Sequence, residues 1–189
     1  MKSYLFGIAT VIVFILAGGA IFIWSGIYNV AADVPHYKLT FLLLDEARES
    51  SVLYHSKGIE PEVSDERTAL ETGFSHYHET CRLCHGAPGI SRQEFAEGLY
   101  PAPPDLDSND LEQELGYSGI YWIVKHGLKM TGMPSFGKTH TEEQIRDIVV
   151  FVTHLPKLDK DGYRAMISSN ENTMNEEHEY GHEHEGSPK

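Results

Sequence analysis

The chain has 189 residues, a formal net charge of −13 at pH 7 and two cysteines. Its length allows one domain of ordinary size with additional segments, because most domains run to about 100–150 residues. The negative charge argues against a nucleic-acid partner, because contacts with phosphates require clustered Lys and Arg side chains. Two cysteines separated by two residues are too few for a structural zinc site and too close in sequence to form a useful disulfide staple.

The first segment is strongly apolar. Residues 3–32 carry no charged side chain, and the apolar run exceeds both the roughly 20 residues that cross a bilayer and the roughly 7–15 apolar residues of a signal peptide. We therefore predict a membrane anchor over residues 1–28. Lys2 is the only basic residue before it, which favours a cytoplasmic N-terminus. A cleaved leader is the alternative, because Ala31 and Ala32 are small residues of the kind found at cleavage sites.

Residues 29–66 are predicted to form a juxtamembrane helix and a linker. Asp33 and Pro35 are typical of a helix start, and Gly58 is typical of a helix end. A partial stripe of leucines lies between them. This pattern fits a solvated linker helix and equally fits a helix that lies on the membrane or on a partner subunit.

Residues 67–158 predict three further helices and no strand of useful length. The first runs over residues 68–80 towards the cysteine pair, and the second covers residues 116–126. The third begins at Thr141, which with Gln144 forms an N-cap and N3 pair. The predicted fold class is therefore all-α.

Residues 159–189 lose apolar periodicity and end in an acidic, His-containing sequence. We predict a disordered tail, because this composition does not bury a core. His178, His182 and His184 allow loose binding of a transition metal. The alternative is a flexible acidic tail whose histidines have no specific role.

The only two cysteines lie in the sequence Cys81-Arg82-Leu83-Cys84-His85. This is the attachment pattern of a c-type haem: two thiols on one helical turn form thioethers with the two vinyl groups, and the adjacent His binds the iron. A thioredoxin-like redox pair is the main competitor, but it requires a surrounding βαβ pattern that is missing here. We predict one covalently attached haem c.

Met133 is the best candidate for the second axial ligand. It lies between Gly132 and Pro134, in a non-helical segment that can present a thioether to the iron that His85 holds. Met130 is its rival but lacks the following proline. Three histidines in helical or flanking positions remain open: His126, His140 and His154.

Residues from about 67 to 158 resemble the monohaem class I cytochrome c family. The features that carry the resemblance are Gly73, Phe74 and Tyr77, the Cys81–His85 motif, Pro104-Asp105-Leu106, Gly132-Met133-Pro134, and a closing helix with Phe151. The resemblance implies helices packed around one covalently bound haem.

The same resemblance implies particular roles. Gly73 would let the first helix cross the last at short range. The backbone carbonyl of Pro104 would accept a hydrogen bond from His85, which orients the ring and increases its donation to iron. Leu106 would pack on the haem.

Ligation by His85 and Met133 leaves no open position on the iron, so no small-molecule substrate is expected there and the chain is not expected to be an enzyme by itself. The expected function is electron transfer between redox partner proteins, as a carrier or as a subunit of a respiratory complex or dehydrogenase. Neither the donor nor the acceptor is identified. The alternative is a haem enzyme or a gas or redox sensor in which Met133 is displaced.

The expected location is the bacterial inner membrane, with the haem domain on the periplasmic side. Four cations near the haem segments form either a local basic rim that steers an acidic partner or a scatter of solvated charges: Arg82, Lys125, Lys129 and Lys138.

Overall fold

The computed structural model describes residues 2–60 and 65–170, which are mainly helical. The helices are α1 (Lys2–Ser25), α2 (Lys38–His55), α3 (Glu66–His76), α4 (Arg82–His85), α5 (Asp110–His126), α6 (Glu142–His154) and α7 (residues 160–170). Over the described ranges, β-type pairing is limited to an isolated bridge between Ala87 and Ile90. The all-α prediction is confirmed. The chain forms two units, one up to Pro35 and one from His36 onward.

The first unit is dominated by α1, whose 24 residues are almost all apolar. The helix is long and apolar enough to cross a membrane, and a signal sequence near an N-terminus would satisfy the same criterion. Two of its hydroxyl groups bond within the helix: Thr10 donates to the carbonyl of Phe6 at 2.9 Å, and Ser25 donates to the carbonyl of Phe22 at 2.8 Å. Internal pairing of polar groups is what an apolar solvent requires.

The core of the second unit forms where α3 crosses α6. A Cβ atom on Gly73 would lie 2.1 Å from the carbonyl oxygen of Asp147 and 2.9 Å from the Cβ of Phe151. Only glycine permits this approach, so the close crossing that the resemblance implied is confirmed. The crossing is surrounded by fully buried side chains: Phe74, Tyr77, Ile148, Phe151 and Tyr163.

Helices α3 and α6 both begin at capped N-termini. The capping box predicted for α6 is confirmed, because Gln144 N–H donates to Thr141 Oγ1 at 3.2 Å and Thr141 N–H donates to Gln144 Oε1 at 2.9 Å. Helix α3 begins earlier than predicted, because Asp65 accepts bonds from the Thr68 hydroxyl and the Arg67 N–H. These bonds hold the pKa of Asp65 below its usual value.

Helix α5 contains a break at Gly116, where φ is +64°. The predicted helix over residues 116–126 corresponds to the regular part that follows this break. The first part of α5 was not predicted, because its sequence has few apolar residues. Glycine is suited to the break because a positive φ is costly for other residues.

Helix α2 begins at Lys38, so the predicted start at Asp33 and Pro35 is wrong. The physical reason is a tertiary contact. The N–H of His36 donates to the hydroxyl of Tyr100 at 2.9 Å, and the two rings lie edge to face at 5.1 Å. This contact holds the chain against the domain before the helix begins.

The prediction of disorder after residue 158 is wrong for residues 159–170. Asp159 caps α7 by accepting the N–H of Gly162 at 2.8 Å, and Tyr163 is fully buried. Tyr163 is followed by Met166 and Ile167, partly buried against the core at the i+3 and i+4 positions of one helix face. The tail histidines His178, His182 and His184 lie outside the described residues, as do residues 61–64 of the predicted linker.

Candidate haem site

The cysteine pair lies at the end of a nearly continuous helix. Helix α3 passes through a π-helical turn, Tyr77–Cys81, into α4, Arg82–His85. The Tyr77 hydroxyl is buried and donates to the carbonyl of Gly86 at 2.7 Å, which stabilises the turn directly after the motif. The π turn was not predicted. Such turns are rare and often occur at functional sites.

Cys81 and Cys84 are not joined by a disulfide bond. Burial raises the pKa of the Cys81 thiol to about 12, and the neighbouring Cys84 contributes in the same direction. A thioredoxin-type pair requires the opposite, because the thiolate is the reactive form and its pKa is lowered in such sites. The competing redox-pair interpretation requires a surrounding βαβ unit, whereas the described ranges place the motif between helices.

His85 is held in one orientation by the segment that the resemblance singled out. Its Nδ1 lies 2.8 Å from the carbonyl oxygen of Pro104. Burial is the main reason that the pKa of His85 is lowered, so the neutral ring is favoured. A neutral ring that donates from Nδ1 to a carbonyl keeps the lone pair of Nε2 for a metal.

Arg92 was missed by the sequence analysis and holds the same segment. Its mostly buried guanidinium donates to the carbonyl of Pro103 at 2.7 Å and pairs with Asp105. These two partners flank Pro104. Arg92 therefore holds in place the backbone that presents the Pro104 carbonyl to His85. A lone Arg in a loop gives no recognisable sequence signal.

The two candidate methionines differ sharply in environment. The side chain of Met133 packs against the core, whereas Met130 is 92% exposed and has φ of +60°. The loop is closed by a backbone bond from Leu128 N–H to the carbonyl of Met133 at 3.2 Å. The hydroxyl of Thr131 accepts the N–H of Met133 at 3.1 Å. The loop therefore directs one methionine inward and the other into solvent.

Three of the six predicted site residues lie in or against one apolar cluster. Cys81 and Met133 are partly buried against the cluster to which Leu106 belongs. The alternative histidine ligands have other surroundings. His126 is exposed beside Trp122, and His154 lines a surface pocket. His140 contacts His76 at 5.0 Å and also packs on Phe136 of the cluster at 5.3 Å. Two thiols, a neutral imidazole and a thioether bordering apolar side chains fit the donor set of a covalently attached haem.

The four cations that the sequence left as either a basic rim or a scatter of charges differ in their contacts. Lys125 forms an ion pair with Glu142 and lies over the ring of Tyr121 at 5.6 Å. The Nε of Arg82 donates to the carbonyl of His78 at 2.9 Å. Lys129 and Lys138 are exposed. The first two cations are thus engaged within the chain, and the rim is reduced mainly to the last two.

Comparison with known proteins agrees with this geometry. Residues 68–152 match the family model described as cytochrome c oxidase, cbb3-type, subunit III. No curated protein and no solved structure matches significantly. The match covers the helices that carry the motif, the methionine loop and most of α6. Residues 68–152 are therefore a c-type cytochrome domain, an electron-transfer module that carries covalently bound haem c.

Proposed function

We propose that the protein is a membrane-tethered electron-transfer protein in which Cys81 and Cys84 hold the haem and His85 and Met133 are the axial ligands of its iron. The observation that carries the proposal is the convergence of Cys81 and Met133 on the apolar cluster that contains Leu106. The hydrogen bond from His85 to Pro104 supports the same assignment, because it leaves Nε2 to the metal.

Each residue has a defined role in this proposal. When bound, the haem iron supplies a one-electron couple between its ferric and ferrous states. His85, held by Pro104, would bind the iron through Nε2, and Met133 would supply a soft thioether, a ligand that favours the ferrous state. Leu106 excludes water from the site. With His85 and Met133 both held to the iron, no position would be left for a substrate, and the chemistry supplied would be outer-sphere electron transfer.

Carbon monoxide tests the closed coordination. We expect the reduced protein to bind it slowly and weakly, because Met133 must first leave the iron. The visible spectrum under increasing carbon monoxide measures this, and Met133→Ala serves as the open-site control that binds readily. Equally ready binding by the unaltered protein would contradict the proposal and favour a gas sensor or a haem enzyme.

Arg92 is proposed as a positioning residue for His85. In Arg92→Lys the charge remains, but the planar fork that contacts both Pro103 and Asp105 is lost. The Pro104 carbonyl should then be held less firmly, so His85 donates less to the iron and the reduction potential rises. Arg67→Lys is the matched control, because the Arg67 side chain is exposed and pairs with Glu71, away from the Pro104 segment. Equal reduction potentials in the two variants would show that Arg92 does not position His85.

We further propose that α1 is retained as a single-pass anchor in the inner membrane, with the cytochrome domain on the periplasmic side. The matched family model describes an oxidase subunit, which favours a respiratory complex over a dehydrogenase as the assembly served. The full-length protein should stay with membranes after a high-salt wash and co-purify with its partner in mild detergent. Recovery in the soluble fraction with Asp33 as the first residue would establish a cleaved leader instead.

A further inference from the structure

Helix α2 presents an apolar face that the domain does not cover. Leu39, Leu42 and Leu43 form this leucine face at positions i, i+3 and i+4, and they are 67%, 62% and 61% exposed. Phe41 and Leu44 beside them are about half exposed. Five large apolar side chains within six residues of a surface helix exceed the scattered exposure that is ordinary for a folded domain.

The other side of α2 packs against the domain. Val52 and Ser56 are buried, and Arg48 pairs with Glu114 of α5 at 3.6 Å. Leu43 precedes Val52 by nine residues, about two and a half helical turns, and therefore lies on the opposite side of the helix. The contacts with the domain hold α2 in place and direct the leucine face outward.

The charge pattern changes along the helix. In residues 34–44 the only charged side chain is Lys38, whereas Asp45, Glu46 and Glu49 follow immediately. An aromatic and a basic residue, Tyr37 and Lys38, precede the leucine face. Such residues are suited to the headgroup region of a membrane, and the acidic residues are suited to water.

The tether limits how far this face can lie from a bilayer. Residues 26–37 separate the end of α1 from the start of α2, and twelve residues span at most about 40 Å when fully extended. With α1 retained, as proposed above, the start of α2 stays within about 40 Å of the end of the anchor. Lipid is then the apolar partner that is always available, and its acyl chains adapt to any side-chain shape.

We propose that the leucine face of α2 is a second membrane contact that inserts into the phospholipid interface. This rests on the proposed anchor and goes beyond it, because a single tether leaves the domain free to rotate whereas a second contact fixes one side towards the membrane. His36, at the start of α2, contacts Tyr100, and the neighbouring Leu99 packs against Gly132 of the methionine loop. The contact would therefore bring the methionine loop towards the membrane, where a membrane-embedded redox partner is accessible.

The test uses the full-length holoprotein reconstituted in phosphatidylcholine vesicles that contain no other protein. Leu42→Cys places a thiol on the leucine face, and Ser51→Cys places one at an exposed polar position of the same helix. We expect a charged, water-soluble maleimide to react at least about tenfold more slowly with Leu42→Cys, because the interface shields that thiol. Leu43→Cys should behave like Leu42→Cys, and an unchanged visible spectrum verifies folding of each variant.

Two controls separate this inference from the proposed function. The unaltered protein should not react, because haem attachment consumes both native thiols. Flotation of the protein with the vesicles shows whether α1 anchors it in the membrane. If the protein floats but Leu42→Cys and Ser51→Cys react with maleimide at equal rates, the anchor stands and the lipid contact is overturned. The leucine face would then have a protein partner. Failure to float would overturn the anchor and, with it, the inference.

Discussion

Met133→Ala is expected to abolish the sulfur-to-iron charge-transfer band of the oxidised protein and to lower its reduction potential by roughly 0.1–0.3 V, a part of the roughly 0.8 V range that axial ligands cover. Loss of the thioether removes the ligand that favours the ferrous state. Met133 packs against the core cluster that Cys81 also borders.

Met130→Ala is the matched control for this experiment. Met130 lies three residues earlier in the same loop but is 92% exposed, so its removal should leave the band and the potential unchanged. Optical spectra of the oxidised protein and a potentiometric titration measure both quantities. Loss of the band in Met130→Ala, with retention in Met133→Ala, would reverse the ligand assignment.

Gly73→Ala is expected to have the largest effect on stability. The added Cβ would lie 2.1 Å from the carbonyl oxygen of Asp147, which is backbone and cannot rotate away. Helices α3 and α6 must then separate, at a cost of about 1–3 kcal/mol or more, which is a large fraction of the roughly 5–15 kcal/mol that stabilises a typical domain. Because α3 leads directly into the Cys81–His85 motif, the yield of haem-containing protein should also fall.

Gly98→Ala provides the comparison, because a Cβ at Gly98 would meet no atom within 4 Å. Its free energy of unfolding should change by less than about 0.5 kcal/mol. Denaturant midpoints at unchanged slope compare the two variants. Equal midpoints for Gly73→Ala and the unaltered protein would show that the two helices separate without cost and that the crossing does not control stability.

The sequence predicted a helix well where the helix depends on residues a few positions apart. The pair Thr141 and Gln144 predicted the start of α6, because a capping box is made within four residues. The regular part of α5 after Gly116 was predicted from another local signal, the spacing of Ile120, Ile123 and Val124. The start of α2 was not, because Asp33 and Pro35 provided a start signal that the contact between His36 and Tyr100 overrides.

Helix α7 was not predicted for a different reason. Tyr163, Met166 and Ile167 do form a helical stripe, but it is short and lies in an acidic, polar sequence. A stripe of three residues stabilises a helix only when a core is available to cover it. Here Tyr163 packs against Phe74, with ring centroids 5.4 Å apart. That partner lies 89 residues earlier in the chain.

By itself, the sequence determined the chemistry of this protein: an apolar first segment, two cysteines on one turn followed by histidine, and two candidate methionines. Those features depend on residue type and on spacing over a few positions. Only the tertiary structure decided which methionine faces the core, that Arg92 holds the segment presenting Pro104 to His85, and that one face of α2 stays uncovered. Burial and hydrogen bonding between distant segments decide such questions, and neither can be determined from spacing along the chain.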